Sequence, residues 1–138
     1  MHNWRLGLGV FLGTQPLGIV TLHARDFPVV REVTTYSWLG LPHHRKGYGT
    51  EARAGLLTLA FTHLGAGAAR TEVFQDNHPS QAVSRKLGYE PDGISQDARG
   101  NQAVISDRLR LTRHKWQSQP HNDATVTGFA DCRPMFGQ

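Results

Sequence analysis

Hydrophobic and polar residues alternate along the first part of the chain in the way that is typical of β-strands. The alternation runs from Trp4 to Leu12 and resumes from Leu17 to Leu22, with turn-forming residues 13–16 between the two segments. This period of two predicts an antiparallel hairpin with one buried face. The segment from Val29 to Leu41 is rich in Val, Thr, Tyr and Trp and predicts a third strand that ends before Pro42. Three consecutive strands favour a meander.

The pattern then changes to a helical period. Apolar residues at helical spacing predict a helix from about Thr50 to Leu64, which Gly65 would terminate. A fourth strand is predicted from Ala69 to Gln75. Pro79 stands at a favourable first helical position, so a short second helix is predicted from Pro79 to Leu87.

The end of the chain predicts a closing hairpin and a polar tail. Residues 89–95 and 103–112 have strand character, and the polar, glycine-containing stretch 96–102 is predicted to connect them as a loop. Residues 117–138 are polar without sustained periodicity, so we expect a domain at residues 1–116 and a loosely ordered, flexible tail at residues 117–138. This order of elements predicts a mixed α/β sheet in which the pairs crossed by a helix are parallel.

Composition narrows the classes of protein. With 138 residues, 38% hydrophobic and 19% charged, the chain has the profile of one globular domain and differs from that of disordered chains. No apolar run approaches a bilayer span, and the N-terminus has no secretory pattern, so we expect a cytoplasmic protein. A single cysteine, Cys132, excludes a disulfide within the chain. The net charge of +4 favours anionic partners without naming one.

The most informative segment joins the third strand to the first long helix and contains a Gly-x-Gly pair. Gly47 and Gly49 allow the backbone to approach a ligand closely, and the first N–H groups of the helix have no intrahelical acceptor. Such a turn binds anions, and Arg45 and Lys46 add positive charge beside it. An ordinary glycine-rich turn would have the same sequence. The adjacent His43 and His44 have no partner at metal-ligand spacing, and we expect no metal.

A second polar segment, Asn77-His78-Pro79-Ser80, lies between the fourth strand and the second helix. Its side chains could bind a ligand at the end of the strand. Helix capping alone also explains an Asn and a Ser at this position.

Together these segments resemble the GCN5-related N-acetyltransferase superfamily, and most closely its subgroup that acetylates the N-terminal amines of ribosomal proteins. The resemblance covers about Trp4 to Trp116. Its motifs are the pyrophosphate loop, the Asn-x-x-Ser pair and the ending of the second helix, which here are His44-Arg45-Lys46-Gly47-Tyr48-Gly49, Asn77 with Ser80, and Lys86-Leu87-Gly88-Tyr89.

The resemblance implies a mostly antiparallel, twisted sheet that splays in the middle, with a central helix and a short second helix. It implies acetyl-CoA as co-substrate and direct transfer of the acetyl group to a primary amine, either a protein N-terminus or a small molecule. The cofactor-binding residues that it implies are Leu39, Leu41, His44, Arg45, Lys46, Gly47, Tyr48, Gly49, Thr50, Asn77 and Ser80. A backbone N–H near Leu39 would stabilise the developing oxyanion.

The resemblance also implies catalytic roles. Ser80 is the expected hydrogen-bond donor or proton relay to the leaving sulfur, because Ser84 stands where many members have a tyrosine acid. Glu32, near the position of a catalytic Glu in some relatives, is the expected base, although an exposed strand carboxylate would look the same. His44 and Arg45 depart from the usual loop residues. The strand and two helices that normally precede Trp4 are missing, so we expect a shortened member, a late reading-frame start or a wall supplied by a partner chain, such as the second copy of a homodimer.

Two other classes of function stay open at this point. A chain that binds coenzyme A without transferring acetyl groups would act as a sensor or remnant. Gly47-x-Gly49-x-x-Ala52 also satisfies the dinucleotide fingerprint of a Rossmann-type oxidoreductase, with Asp76 as a ribose partner. Nucleic-acid binding is disfavoured, because the basic residues are dispersed and no recognition helix is identifiable.

Overall fold

The computed structural model describes residues 3–40, 47–120 and 124–136. These residues form a six-stranded sheet with the strand order β1-β2-β3-β4-β6-β5. The strands are β1 (Trp4–Leu12), β2 (Gln15–Ala24), β3 (Glu32–Leu39), β4 (Ala68–Phe74), β5 (Glu90–Arg99) and β6 (Gln102–Thr112). Neighbouring strands are antiparallel except for β3 and β4, which are parallel. The predicted meander and the predicted mixed, mostly antiparallel sheet are therefore confirmed.

Helices connect and cover the strands. The central helix α2 (Tyr48–Thr58) continues as a π-helical turn (Leu59–His63), and Gly65 follows with a positive φ of 73°. The short second helix α3 (His78–Leu87) ends at Gly88, whose φ of 100° gives the left-handed cap expected of a glycine. The remaining helices are α1 (Phe27–Val30), α4 (Arg113–Ser118), α5 (Phe129–Cys132) and a 3-10 turn (Arg133–Phe136). No helix of the described ranges is long and apolar enough to cross a membrane.

The core lies between the central helix and one face of the sheet. Leu57, Phe61 and Leu64 of the helical segment are buried against Leu22 of β2 and Leu111 of β6. This burial explains the apolar spacing along the helix and fixes its N-terminus above the middle of the sheet.

The third strand begins later than its sequence predicts. Val29 and Val30 belong to the helical turn α1, which the buried ring of Phe27 attaches to the core. The amide of Arg31 donates to the carbonyl of Phe27, and Arg31 itself has a φ of 56°. The prediction of a strand at Val29 and Val30 was therefore wrong. The β-propensity of valine did not decide the structure here, because both residues lie outside the sheet and are largely exposed.

The predicted loop at residues 96–102 is mostly strand. β5 pairs with β6 until Arg99 meets Gln102, so Gly100 and Asn101 alone make the turn. The prediction was wrong because β5 is an edge strand with few buried side chains, and its polar residues lack the apolar alternation that marks a strand.

The chain returns to the core after residue 124. Phe136 is 7% exposed, its ring stacks on Phe129 and its carbonyl accepts a hydrogen bond of 3.2 Å from the indole Nε1 of Trp4. Trp4 also packs edge-on against Phe27. A few apolar residues thus attach a polar segment to the first strand, while the extent of a separate domain at residues 1–116 stays a prediction.

The Phe136→Ala variant is expected to lose about 3 kcal/mol of its free energy of unfolding, the usual cost of removing a buried phenylalanine ring. Urea denaturation of the full chain measures this value. Met135→Ala is the matched control, because Met135 is 60% exposed and its truncation should change stability by less than about 0.5 kcal/mol. Equal losses in both variants would contradict the packing of this segment.

The sheet opens between β3 and β4. Their parallel pairing is limited to Glu32–Thr34 against Ala68–Arg70, although β3 extends to Leu39 and β4 to Phe74. The Thr35 hydroxyl donates to the Arg70 carbonyl at 3.2 Å, and the Thr71 hydroxyl donates to the Thr35 carbonyl at 2.8 Å. Side-chain hydroxyls thus replace the ladder where the strands separate, since buried carbonyls need donors. The splay that the resemblance implied is confirmed.

Candidate functional site

The N-terminus of α2 faces the open part of the sheet. Gly47 is the N-cap, with a φ of 83° that favours glycine, and no described side chain caps this helix end. The first backbone bond within the helix runs from the Glu51 amide to the Gly47 carbonyl at 3.1 Å. Helix geometry therefore leaves the N–H groups of Tyr48, Gly49 and Thr50 without intrahelical acceptors. Their partial positive charge makes this end suitable for an anion.

The N-terminus of α3 lies across the opening from α2. The Asn77 side chain accepts a hydrogen bond from the Ser80 amide at 3.3 Å, so helix capping does account for this pair. Both residues also line the cleft described next. Asn77 can therefore cap the helix and contact a ligand at the same time. Ser80 is half-buried beside the cleft.

Two cavities meet in the opening between β3 and β4. The first, about 640 Å³, lies between the two helix N-termini and β3, and it is lined by Gly47, Gly49, Thr50, Asn77 and Ser80 together with Trp38 and Lys86. The second, about 450 Å³, lies against β4, β5 and β6, with Tyr36, Glu72, Asp97 and Ser106 in its wall. Ser37, Arg53, Asn77 and Ser80 line both. Because they share these four residues, the two cavities form one cleft. We call the first cavity its helix side and the second its sheet side.

The sheet side of the cleft contains two carboxylates that the sequence did not single out as site residues. Glu72 of β4 and Asp97 of β5 line it beside the phenol of Tyr36. Burial, and then the negative charges of Glu72 and Asp97, raise the pKa of Tyr36 above its ordinary value. The phenol is therefore neutral throughout the physiological range. A carboxylate within the predicted strand from Ala69 to Gln75 was the available sequence signal for Glu72.

His23 lies against the ring of Tyr36 and makes stability depend on pH. Their ring centroids are 5.3 Å apart, and the buried Nε2 of His23 has no hydrogen-bond partner among the described residues. Burial, and then the positive charge of Arg5, lower the pKa of His23 below 6.5. The unfolded chain therefore binds the proton first as the pH falls below that value, and the folded state loses stability.

The His23→Gln variant is expected to lose less of its free energy of unfolding than the wild type between pH 7 and pH 5. Glutamine cannot be protonated in this range, so the contribution of His23 disappears from the difference. Urea denaturation at several pH values measures both curves. Parallel curves for the two proteins would show that His23 has the same pKa in the folded and unfolded states.

The structure brings some of the expected site residues together and leaves others apart. Glu32 lines neither cavity, and its carboxylate accepts a hydrogen bond of 3.2 Å from Arg110. Tyr48 begins α2 without lining the cleft. The Gly40 amide donates to the Leu17 carbonyl on β2, so the Leu39 amide points the opposite way, toward the opening. Leu41, His44, Arg45 and Lys46 lie outside the described residues.

Arg53 is a further residue of the cleft that sequence reasoning did not find. Its side chain is 3% exposed, and its Nη1 donates to the Ser84 hydroxyl at 2.8 Å. The guanidinium lies over the Tyr89 ring, 5.1 Å from its centroid. Its Nε and Nη2 atoms have no hydrogen-bond partner among the described residues. An arginine at a core-facing helix position was the available signal in the sequence.

The dinucleotide-binding alternative is wrong. A Rossmann unit requires parallel strands around its glycine loop, whereas most pairs of this sheet are antiparallel. Asp76, its proposed ribose partner, forms a bidentate ion pair with Arg99 at 2.7 and 2.8 Å. That hydrogen-bonded pair lowers the pKa of the Asp76 carboxyl and occupies both of its oxygens. Among the described residues, no group of three or more His, Cys, Asp or Glu could hold a metal ion.

The fold recurs in solved acetyltransferase structures. RimJ from Mycobacterium smegmatis, solved with CoA-disulfide, has a TM-score of 0.73 and 19% identity over 83% of this chain and 59% of its own. Spermidine N-acetyltransferase from Vibrio cholerae, solved with CoA and spermine, has a TM-score of 0.74 and 15% identity over 82% of this chain and 68% of its own. The microcin C7 self-immunity acetyltransferase MccE, solved with acetyl-CoA and AMP, has a TM-score of 0.69 and 21% identity over 78% of this chain and 61% of its own.

The chain spans less than two thirds of the length of several such structures, including 64% of a ribosomal-protein-serine acetyltransferase structure from Vibrio cholerae. The family model of the acetyltransferase (GNAT) domain matches residues 2–90, which is more than half of the chain. Together with the splayed sheet and the uncapped central helix, this match identifies the family. The chain belongs to the GNAT acetyltransferase domain family.

Proposed function

We propose that the protein transfers the acetyl group of acetyl-CoA to a primary amine, with both substrates bound in the cleft at once. The observation that carries this proposal is the continuous cleft, which passes from the uncapped N-terminus of α2 through the splayed sheet to the carboxylates of β4 and β5. An anionic carrier fits its helix side and a cationic amine fits its sheet side. Acetyl-CoA would supply the activated acetyl group.

The helix side fits the pyrophosphate of coenzyme A. A Cβ built on Gly47 would have no atom of the described residues within 4 Å, so these residues leave room for a ligand beside Gly47. The free amides of Tyr48, Gly49 and Thr50 would donate to phosphate oxygens, and the side chains of His44, Arg45 and Lys46 would add donors and positive charge. Lys86 of α3 contributes a further cation to the same cavity.

The splay fits the pantetheine arm. The amides of the pantetheine arm need hydrogen-bond partners. The edges of β3 beyond Thr34 and of β4 beyond Arg70 are not paired with each other, so their backbone groups can provide such partners. We propose that the Leu39 amide binds the carbonyl oxygen that becomes negative during transfer, with Leu39 and Leu41 beside the arm. Asn77 and Ser80 would contact the arm from the α3 side, because both residues line the two cavities.

The sheet side fits the amine. An ammonium group is not nucleophilic, so a base must remove a proton before attack. We assign this role to Glu72, because it lines the sheet side of the cleft, whereas Glu32 lines neither cavity and is paired with Arg110. Asp97 would attract the amine, and the neutral phenol of Tyr36 would donate to its polar neighbours. Ser80, which lines both cavities, would donate a hydrogen bond near the leaving sulfur.

The acceptor is proposed as either a peptide N-terminus or a small amine. Both classes present one primary amine and both fit an open, acidic cavity. A second candidate function is binding of coenzyme A without transfer, because the helix side of the cleft could hold the cofactor by itself. We also propose that a second copy of the chain, as a homodimer, could complete the wall of the acceptor site.

Thiol release separates these functions. The purified chain is incubated with acetyl-CoA and a panel of peptides, polyamines and aminoglycosides, free thiol is followed with a chromogenic disulfide, and products are identified by mass spectrometry. Acetyl-CoA binding with amine-dependent thiol release is the expected result. Binding without release for every amine would favour the non-catalytic function, and an absence of both would overturn the proposal.

A further inference from the structure

Arg53 is a buried charge that has no counter-ion among the residues that the structure describes. The structure records no salt bridge between its guanidinium and any described carboxylate, and the Ser84 hydroxyl accepts from one of its three nitrogens. Nε and Nη2 are buried and have no hydrogen-bond partner in the described part of the chain. A buried guanidinium in this condition is costly, because its desolvation is not offset by an ion pair. Its arrangement therefore indicates an anion that the described residues do not supply.

The position of Arg53 defines where that anion would lie. Arg53 is one of four residues that line both sides of the cleft, so it stands where the two cavities meet. It follows Gly49 by four residues, which places it about one helical turn, or roughly 5 Å, beyond the free amides at the start of α2. Arg53 also lines the sheet side of the cleft, which Gly47, Gly49 and Thr50 do not, so the anion is placed deeper in the cleft than a pyrophosphate at those amides.

Charge favours one of the two substrates as the source of the anion. The sheet side of the cleft carries Glu72 and Asp97, which would repel a carboxylate on the acceptor. Under the proposed function, two groups of the thioester become negative, and the Leu39 amide binds the carbonyl oxygen. The sulfur of coenzyme A is therefore the group left for Arg53. The electron pair of the carbon–sulfur bond stays on that sulfur when the bond breaks.

We propose that Arg53 is the residue that holds the leaving sulfur of coenzyme A as a thiolate. This inference rests on the proposed function. Glu72 takes one proton from the ammonium and passes it to solvent, the nitrogen of the neutral amine forms the new bond to the acetyl carbon, and the carbon–sulfur bond breaks. The nitrogen then loses its second proton to solvent. Arg53 keeps all its protons, since a guanidinium is not deprotonated in proteins. It stabilises the anion by its positive charge and by the two N–H donors that have no partner among the described residues. The thiolate takes a proton from solvent after release.

Ser84 and Tyr89 position the guanidinium. Ser84 is fully buried and accepts from Nη1, which leaves Nε and Nη2 for the ligand. Tyr89 supports the flat face of the guanidinium, and its own hydroxyl is fixed by a hydrogen bond of 2.8 Å with Thr35. Two hydrogen-bonded side chains thus hold Arg53 at the point where the strands separate.

The ionisation of bound coenzyme A tests this assignment without relying on turnover. Coenzyme A is titrated from low to high pH in complex with the protein, and the ultraviolet absorbance of the thiolate gives the pKa of the bound thiol. Cys132 is an exposed thiol and would add its own signal, so every protein carries Cys132→Ser. We expect the pKa of the bound coenzyme A thiol to lie at least about one unit below that of free coenzyme A, a tenfold change in ionisation.

Substitutions assign the shift to its source. Arg53→Met removes the charge at similar volume and is expected to return the pKa of the bound thiol to the value of free coenzyme A, while Arg53→Lys should keep part of the shift. Arg113→Met is the matched control, because Arg113 is exposed and lines neither cavity. A shift that persists in Arg53→Met would overturn the assignment to Arg53.

The wild-type measurement decides the case even if Arg53→Met does not fold. Bound coenzyme A with the thiol pKa of the free molecule would overturn the role of Arg53 and leave the proposed function intact. A wild-type protein that does not bind coenzyme A at all would instead overturn the proposed function, and the inference with it.

Discussion

The Gly49→Trp variant is expected to bind acetyl-CoA at least about a hundredfold more weakly than the wild type, a loss of roughly 2.7 kcal/mol. Gly49 lies in the first turn of α2 and lines the helix side of the cleft. An indole at this position would occupy the space in front of the free amides, where we place the pyrophosphate. The binding surface consists of backbone, so the bulk of the side chain and not its chemistry decides the result.

Calorimetric titration of acetyl-CoA into both proteins measures the effect, and circular dichroism checks that the variant is folded. Gly7→Trp is the control, because Gly7 is exposed on β1 and a Cβ there would meet nothing within 4 Å. It introduces the same side chain away from the cleft and should bind like the wild type. Equal affinity in Gly49→Trp and Gly7→Trp would eliminate the pyrophosphate assignment.

The Glu72→Gln variant is expected to lower kcat by about 10² to 10⁴, the usual contribution of a general base, with little change in acetyl-CoA affinity. Glutamine retains the shape of the side chain and its hydrogen-bonding capacity but cannot accept the amine proton. Since Glu72 is on the sheet side of the cleft, the helix side should be unaffected. Initial rates of thiol release with a reactive amine, together with calorimetry, separate the two effects.

Two other carboxylates make the comparison specific. Glu90→Gln is the matched control, because Glu90 is paired with Lys115 on the surface and lines neither cavity. Glu32→Gln tests the base that the family resemblance implied. A large loss of kcat in Glu32→Gln with a normal rate in Glu72→Gln would contradict the assignment that the structure favours.

Local patterns predicted the elements of this fold where burial follows a simple period. β1 and β2 alternate because one face packs on the core, and the helix that begins near Gly47 has its apolar residues at helical spacing for the same reason. The pattern failed at Val29 and Val30, where a buried Phe27 holds the chain in a helical turn. The pattern also gave no sign that Phe136 is buried, because a single buried ring in a polar segment does not produce a hydrophobic period.

The sequence predicted the site residues at the starts of the two helices, but not those that lie within a strand or a helix. Glycines at a strand–helix junction and the Asn77–Ser80 pair are local signals, and the structure places Gly47, Gly49, Thr50, Asn77 and Ser80 around one cavity. Glu72 and Arg53 lie within regular elements, so their access to the cleft depends on the separation of β3 from β4. That separation arises from contacts between residues far apart in the sequence, such as Thr35 with Thr71.

The hydroxyl cluster at the fork of the sheet has a consequence for recognition. Thr35 is hydrogen-bonded to the Tyr89 hydroxyl and to the Arg70 carbonyl, and the Thr71 hydroxyl donates to the Thr35 carbonyl, so side-chain hydrogen bonds fix the point where the two strands separate. The opening between β3 and β4 is therefore preorganised. Binding of a long, flexible thioester does not require two paired strands to separate first. Backbone amides on both sides of the fork should keep their hydrogen-exchange protection when coenzyme A binds, while the first turn of α2 becomes better protected.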